Sequence, residues 1–496
     1  MKINSRRLIA VNAVSSGIQA IIVGLVYFFL YRILLEKLGV KLLGVWSLVI
    51  ATSSIATLAN FGFASGLVKF VSEFNAKNEF EKINKFLFTA FISLLCFFLV
   101  IIILIYFLAF LFIDKIVPPE YVRLTLSILP FSLVCLLINS LGGIFTGTLE
   151  GFQKNYIRNI AYIFTSVGYF VLALLLLPRY GLKGLAIAQI AQAIVIFFVA
   201  FYYVGKLCPG FRIFNWDWDK DVFKSLFNYG FKFQVISVFQ MLYEPMTKIL
   251  ISKYSGISTL GFYEMASRFV NQFRAIISTM NQVTVPVVAH YFHTDKTAIQ
   301  SIYKRSMSYI VLLVFPLVAF IVLFIPHLSV LWVGKLEPVF INSSYILSIS
   351  LLVNIMNAPA YFSSLGEGRL NGLLIMHFLI AALNILLGIL LGLTIPTYGV
   401  IIAWAISISS GSVFLILYYH KQNDLRLRKI YGKSDYLIII SGLVFIFLSI
   451  LILSKVSLHF NFNLLSFIIL LAIYICYFSP IVFLSGNLKL LKVFRN

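Results

Sequence analysis

The sequence predicts an all-α polytopic membrane protein, and three observations carry that prediction. Only 11% of the residues are charged while 61% are hydrophobic, and the mean hydropathy is +1.00. A soluble chain of 496 residues could hold that balance only by leaving its core in water. Apolar segments of about 20 residues, the length of a bilayer-spanning helix, recur from one end to the other. The basic residues gather at alternate ends of those segments.

Segments of that kind run at 9–31, 42–68, 86–113, 121–147, 156–177, 182–206, 226–252, 260–289, 307–333, 339–363, 370–394, 398–419, 436–454 and 463–485, fourteen spans in all. Short loops rich in Lys and Arg are retained in the cytoplasm. With the N-terminus inside, the inner ends and loops hold 25 of these residues and the outer ones 11, leaving Lys232, Arg268 and Arg274 within spans. Both termini are therefore expected to be cytoplasmic. Lys69, Lys77, Lys82, Lys85, Arg426, Arg428 and Lys429 read as determinants of this topology.

The formal net charge of +22 follows from the same asymmetry and from attraction to anionic headgroups. With no basic soluble domain, it does not point to nucleic acid. Lys2, Arg6 and Arg7 precede a first segment too long for a signal peptide and without a small-residue cleavage pattern behind it, so that helix is expected to stay. Cys96, Cys135 and Cys476 lie in spans and Cys208 in an inner loop, which suggests no disulfide frame and no metal cluster. His290 and His293 have no acidic or Cys partner nearby and predict no metal site. The chain contains no GxxxxGK[ST] pattern for a nucleotide.

The spans repeat. Leu38-Gly39 and Leu43-Gly44-Val45-Trp46 follow span one, and Gly256 and Leu260-Gly261-Phe262-Tyr263 follow span seven, 217 residues on. Glu150-Gly151 after span four matches Glu367-Gly368 after span ten at the same offset, and Pro178-Arg179-Tyr180-Gly181 matches Pro396-Thr397-Tyr398-Gly399 at 218. Each match alone is weak, because Gly and Pro punctuate loops everywhere; their collinearity predicts two parallel six-helix repeats. Parallel repeats are a transporter architecture with the substrate site at the repeat interface. The domains expected are repeat one at 1–206, a cytoplasmic linker at 207–225, repeat two at 226–420, and a cytoplasmic loop with a C-terminal helix pair at 421–496.

The costliest stretch is 244–282, which places Glu244, Lys248, Glu264, Arg268 and Arg274 in or beside apolar segments. Each such charge costs about 2.5–3.5 kcal/mol at a helix centre. On a helical wheel Glu264, Arg268, Asn271, Gln272, Arg274, Ser278 and Gln282 share an arc of about 160°. Met265, Phe269, Phe273, Ile276, Ile277 and Met280 lie opposite. Gln234, Ser237, Gln240, Glu244, Thr247, Lys248 and Ser252 share a face of span seven, and Asn12, Ser15, Ser16 and Gln19 one of span one. Two readings of Glu264 and Arg268 stand side by side: a lining of a hydrated cavity, or an i, i+4 pair that neutralises itself. Glu244 precedes Pro245, which disfavours straight helix there. It reads either as a proton carrier, its pKa raised by partial burial, or as a partner of Lys248. Subtracting 217 places Glu244, Lys248, Glu264, Arg268 and Arg274 on Tyr27, Tyr31, Ser47, Ala51 and Thr57, so the first repeat carries none of these charges.

LGVKLLGVWSLVIATSSIATLANFGFASGLVKFVSEF (38–74), PRYGLKGLAIA (178–188) and its echo PTYGVIIAWAI (396–406) resemble the polysaccharide flippases of the multidrug/oligosaccharidyl-lipid/polysaccharide (MOP) exporter superfamily. The nearest are the Wzx translocases of O-antigen and capsule repeat units. The resemblance covers the whole chain and implies a MATE-like fold in the bacterial inner membrane. It implies translocation of an undecaprenyl-diphosphate-linked oligosaccharide from the inner to the outer leaflet by alternating access. A central cavity would be lined by the first two helices of each half, and the last helix pair would form a lipid groove as in related lipid II flippases.

On that resemblance, Arg268, Arg274 and Lys248 are the candidates for the diphosphate, since guanidinium forks suit phosphate oxygens. Asn271, Gln272, Gln240, Asn12 and Gln19 are the candidates for sugar hydroxyls, and Glu244 and Glu264 for proton coupling. No cofactor or metal is expected, the drive being the membrane potential or an ion gradient. The expected partners are the lipid-linked glycan, membrane lipids, and a glycan polymerase with its chain-length regulator. A polytopic enzyme on the same lipids is disfavoured because every outer loop is short and the one between spans eleven and twelve carries no charge. A multidrug exporter of the superfamily would want acidic cavity groups, yet no Asp or Glu precedes Glu36. A lipid II flippase is the third alternative.

Overall fold

With no water to complete an open backbone hydrogen bond, only helices and closed barrels span a bilayer. Every element of the computed structural model is accordingly helical among the described residues, which are 2–54, 63–211, 218–282, 288, 296–425, 430–456 and 462–484. In chain order these are α1 (Lys2–Ser54), α2 (Phe63–Ala76), α3 (Phe80–Phe112), α4 (Pro119–Gly151), α5 (Asn155–Tyr180), α6 (Leu182–Leu207), α7 (Lys220–Met241), α8 (Glu244–Leu250), a π turn (Ile251–Ser255), α9 (Ile257–Gln282), α10 (Lys296–Val333), α11 (Pro338–Met356), α12 (Ala358–Gly366), α13 (Asn371–Thr394), α14 (Gly399–Gln422), α15 (Lys433–Val456) and α16 (Leu464–Leu484). Among the described residues eleven helices are long and apolar enough to cross a membrane. Expected spans seven and eight fall on α7–α9, whose polar faces keep them outside that group.

The chain divides into two compact units, Met1–Gly261 and Phe262–Asn496. In the first, α4 packs on α6, α2 and α1, and α5 on α6 and α1. Phe145 of α4 anchors that layer, its ring 5.3 Å from Phe197 and 5.4 Å from Phe201, both edge-on, a geometry that favours aromatic pairs. Helices α7 and α8, which the sequence repeat assigns to the second half, pack against α2 and α3 and against α1 respectively. The approach to α7 is pinned by Trp218, whose Nε1 donates to Ser93 Oγ at 3.0 Å. Asp219 then caps α7, accepting from the amides of Asp221 and Val222 at 2.7 and 3.0 Å. Its carboxyl lies 2.6 Å from Lys85 Nζ, and that bond first, then the capping amides, holds its pKa down to about 2.

In the second unit α13 pairs with α14, α11 with α10 and α14, and α15 and α16 with α10. Val311, Leu312 and Phe315 of α10 form a buried cluster with Ile438 of α15. Tyr474 of α16 donates its hydroxyl to the Pro316 carbonyl at 3.0 Å.

At the first repeat landmark the backbone does the same thing twice. Gly39 adopts φ 79°, ψ 165° and breaks α1, while Gly256 adopts φ 89°, ψ 160° and separates the π turn from α9. That region is essentially closed to residues with a Cβ. Glu150 lies 3.2 Å from Arg158 and Glu367 3.3 Å from Arg369, so each landmark acid is paired with an arginine.

Gly39→Ala and Gly256→Ala should each lower stability by about 1–3 kcal/mol through backbone strain. Gly17→Ala, in the exposed interior of α1 with nothing within 4 Å of a new Cβ, should be neutral or stabilising. Thermal midpoints of the three purified variants in detergent test the contrast.

Candidate functional site

On α1, the first polar face is committed to packing. A helix leaves its first amides without internal partners, and Asn12 supplies one from another helix: its Oδ1 accepts from the Tyr156 amide at 3.0 Å while its Nδ2 donates to the Gln153 carbonyl at 2.9 Å. Fully buried Asn159 donates to Ser15 Oγ and Ser16 Oγ, both at 2.9 Å. The two hydroxyls in turn donate to the Asn12 carbonyl. Asn12, Ser15 and Ser16 therefore bind α1 to the start of α5. Gln19 lies two turns further along α1, half-buried.

The proline break expected at 245 is present. Helix α7 ends at Met241, and α8 starts at Glu244 with Pro245 in its first turn. Thr247 Oγ1 donates across the break to the Tyr243 carbonyl at 2.6 Å. Glu244 is exposed and Lys248, one turn on, is buried. Gln240 is exposed at the end of α7. The π turn that follows is a feature often found at functional sites.

In the second unit, α9 carries the remaining candidates. Arg268 Nε donates to Glu264 Oε1 at 2.8 Å, with Glu264 2% and Arg268 30% exposed. The pair forms: the carboxylate is sealed in and the guanidinium is partly exposed. Asn271 Nδ2 donates to Ser267 Oγ at 3.1 Å. Gln272 and Arg274 are half-buried a turn further along the helix. Phe269 packs edge-on to Phe273 at 5.1 Å and lies 6.5 Å from Trp332 of α10. The one acid of α9, Glu264, and its two arginines, Arg268 and Arg274, give this helix a net charge of +1.

A second polar cluster escaped the sequence reading. Tyr419 of α14 donates to Glu367 Oε1 at 2.6 Å. Its ring stacks on Tyr303 of α10 at 4.8 Å, and Tyr303 shares a 2.7 Å hydrogen bond with His420 Nε2. Burial pushes the Glu367 carboxyl up from the ordinary range, against the pull of Tyr419 and Arg369. Asn354 and Asn357 both donate to Ser412 Oγ, at 3.0 and 2.9 Å. Glu367 carried a sequence signal, as a repeat landmark; its partner 52 residues away did not. Among the described residues no group of three or more His, Cys, Asp or Glu is arranged to hold a metal. His290, His293, Arg426, Arg428 and Lys429 lie outside the described residues.

The profile of a family described as polysaccharide biosynthesis protein matches residues 38–335. No protein of curated function matches the sequence. Among solved structures, the chain is similar to the lipid II flippase MurJ in an inward closed conformation, with a TM-score of 0.72 at 16% identity over 97% of this chain and 99% of that one. It is similar to an inward-facing multidrug resistance MATE family transporter of the MOP superfamily, with a TM-score of 0.71 at 16% identity over 81% and 94%. A MOP superfamily transporter from Pyrococcus furiosus gives 0.62 at 17% identity over 83% and 95%. The fold is that of the MOP superfamily.

The burial of Glu264 against the partly exposed Arg268 predicts an asymmetry. Arg268→Gln strands a buried carboxylate and should cost about 3–5 kcal/mol, the penalty for breaking a buried pair. Glu264→Gln leaves a guanidinium that still reaches water and should cost less, and the double variant should recover part of the loss. Thermal unfolding of the three variants, followed by tryptophan fluorescence, decides the order.

Proposed function

The chain belongs to the polysaccharide biosynthesis protein family, and from that premise we propose that it is a flippase for an undecaprenyl-diphosphate-linked oligosaccharide. It carries the repeat unit of an O-antigen, capsule or exopolysaccharide from the inner to the outer leaflet of the bacterial cytoplasmic membrane by alternating access. The observation that carries the reading is the family match together with a flippase likeness extending over 97% of the chain, where the MATE transporter likenesses extend over 81% to 85%.

The residues divide the work by charge. Arg274 and Arg268 of α9 are the candidates for the diphosphate, and Lys248 of α8 is a further basic candidate, because charge-assisted bonds to phosphate oxygens are the strong ones. Asn271, Gln272 and Gln240 offer amides to sugar hydroxyls. Glu264 is a structural counter-charge, since protonating it would leave Arg268 without its partner. Glu244, exposed at a helix break, is the remaining candidate for proton coupling, but a coupled proton is not required. Moving about two negative charges outward, with the interior negative, gains about 4.6 kcal/mol per 100 mV. The balance of basic over acidic groups on α9 suits an anionic cargo and not a cationic drug.

In proteoliposomes, leaflet exchange of an undecaprenyl-diphosphate oligosaccharide should be accelerated by the protein and again by an inside-negative potential. Arg274→Ala should slow it roughly 10–100-fold, the loss of one or two charge-assisted bonds, and Glu244→Gln should leave the potential-driven rate unchanged. Exchange of lipid II alone would reassign the substrate, and no potential-sensitive exchange of either lipid would overturn the proposal.

A further inference from the structure

Val40 and Gly44 on α1 stand 217 residues before Ile257 and Gly261 at the head of α9, and the fold brings all four together inside the unit that ends at Gly261. The contact is reciprocal. A Cβ on Gly44 would fall on the carbonyl oxygen of Ile257, and a Cβ on Gly261 on the carbonyl oxygen of Val40, both well inside the 3.0 Å that real Cβ atoms keep. The second would also lie 3.3 Å from the Gly44 amide nitrogen, so the two glycines face each other. Each segment presents a bare Cα to the other's carbonyl, the arrangement of weak Cα–H···O bonds at close helix crossings. The backbone breaks that set up the contact are related in the same way, since Gly39 and Gly256 each precede their glycine by five residues with nearly the same φ and ψ. The π turn ahead of Gly256 is tied down as well, Ser252 Oγ donating to the Ile116 carbonyl between α3 and α4 at 2.8 Å.

We propose that these paired contacts, Gly44 on Ile257 and Gly261 on Val40, are a symmetric closure sealing the outer end of the translocation path. The basic-residue count assigns this end of α1 to the outside. A closure made of backbone on backbone parts without unlocking interdigitated side chains and re-forms in a single register, and its two halves are equivalent in sequence and geometry. It also tolerates no side chain at either glycine, which a contact between side chains would. The proposal rests on the transport reading, and its test uses no substrate, so the two can fail separately.

In a chain with Cys96, Cys135, Cys208 and Cys476 replaced by serine, Ser47→Cys places a thiol at a fully buried position one turn beyond Gly44. Its reaction with a membrane-impermeant maleimide from the outside should quicken roughly tenfold or more with Gly44→Ala, and equally with Gly261→Ala, because an added methyl overpacks the closed state. Val40→Ala and Ile257→Ala should not restore protection, since the obstacle is a carbonyl and not a side chain. Unchanged protection in both alanine variants, or full rescue by trimming those side chains, would overturn the closure.

Should the alanine variants not accumulate, Val40→Cys with Ile257→Cys answers in the otherwise native backbone. A one-methylene bis-methanethiosulfonate should bridge the pair and slow amide hydrogen exchange across residues 40–47 roughly tenfold by blocking the opening. Failure to bridge, or exchange that the bridge leaves unchanged, would overturn it too.

Discussion

An open backbone amide or carbonyl in hydrocarbon has no water to turn to and costs several kcal/mol, and the shape of this chain follows from where it meets that cost. It runs 53 residues in α1 with a single break at Gly39, and 38 in α10. Breaks at Gly39, between Met241 and Glu244, through Ile251–Ser255 and at Gly256 fall on α1 and on the junction that meets it. The freed groups at the second break find partners close by. The Leu242 amide donates to the Val238 and Phe239 carbonyls, and the Thr247 amide to Tyr243. Irregular backbone thus gathers where α1 and the α8–α9 junction touch.

Charges obey the same constraint. A buried carboxylate without a counter-charge would shift to its neutral form or unfold its surroundings, and the one acid of α9, Glu264, has taken an arginine one turn away on its own helix. Glu367 uses a tyrosine and an arginine instead. Settling charge locally changes how the stretch 244–282 reads: strongly charged in sequence, it holds an ion pair, Glu264 with Arg268, on a single helix.

What was legible in the sequence was whatever depends on neighbours along the chain. The apolar spans, the break at Pro245, the glycines at 39, 44, 256 and 261 and the i, i+4 spacing of Glu264 and Arg268 are local signals, and the helices carry all of them. The outcome of the Glu264–Arg268 alternative needed burial, which no wheel supplies. Asn12 shows the complementary case. Its polar face was correctly read as polar, but its partners Gln153 and Tyr156 lie 141 and 144 residues away, and a helical wheel cannot tell a face that greets a substrate from one that caps a neighbouring helix. Tyr419 and Tyr303 were hidden for a further reason: aromatic residues are so frequent in these spans that a pair serving a buried acid has no compositional mark.

The two repeats share a frame but not a chemistry, and the kinds of contact involved explain the difference. Where Gly44 meets Ile257 and Gly261 meets Val40, backbone touches backbone, and any side chain at either glycine breaks the fit. Such positions have to stay equivalent in both halves for the closure to be symmetric. Ser47 and Tyr31, the counterparts of Glu264 and Lys248, are buried as those two charged residues are, so the halves place uncharged side chains in one and charged side chains in the other at equivalent buried positions.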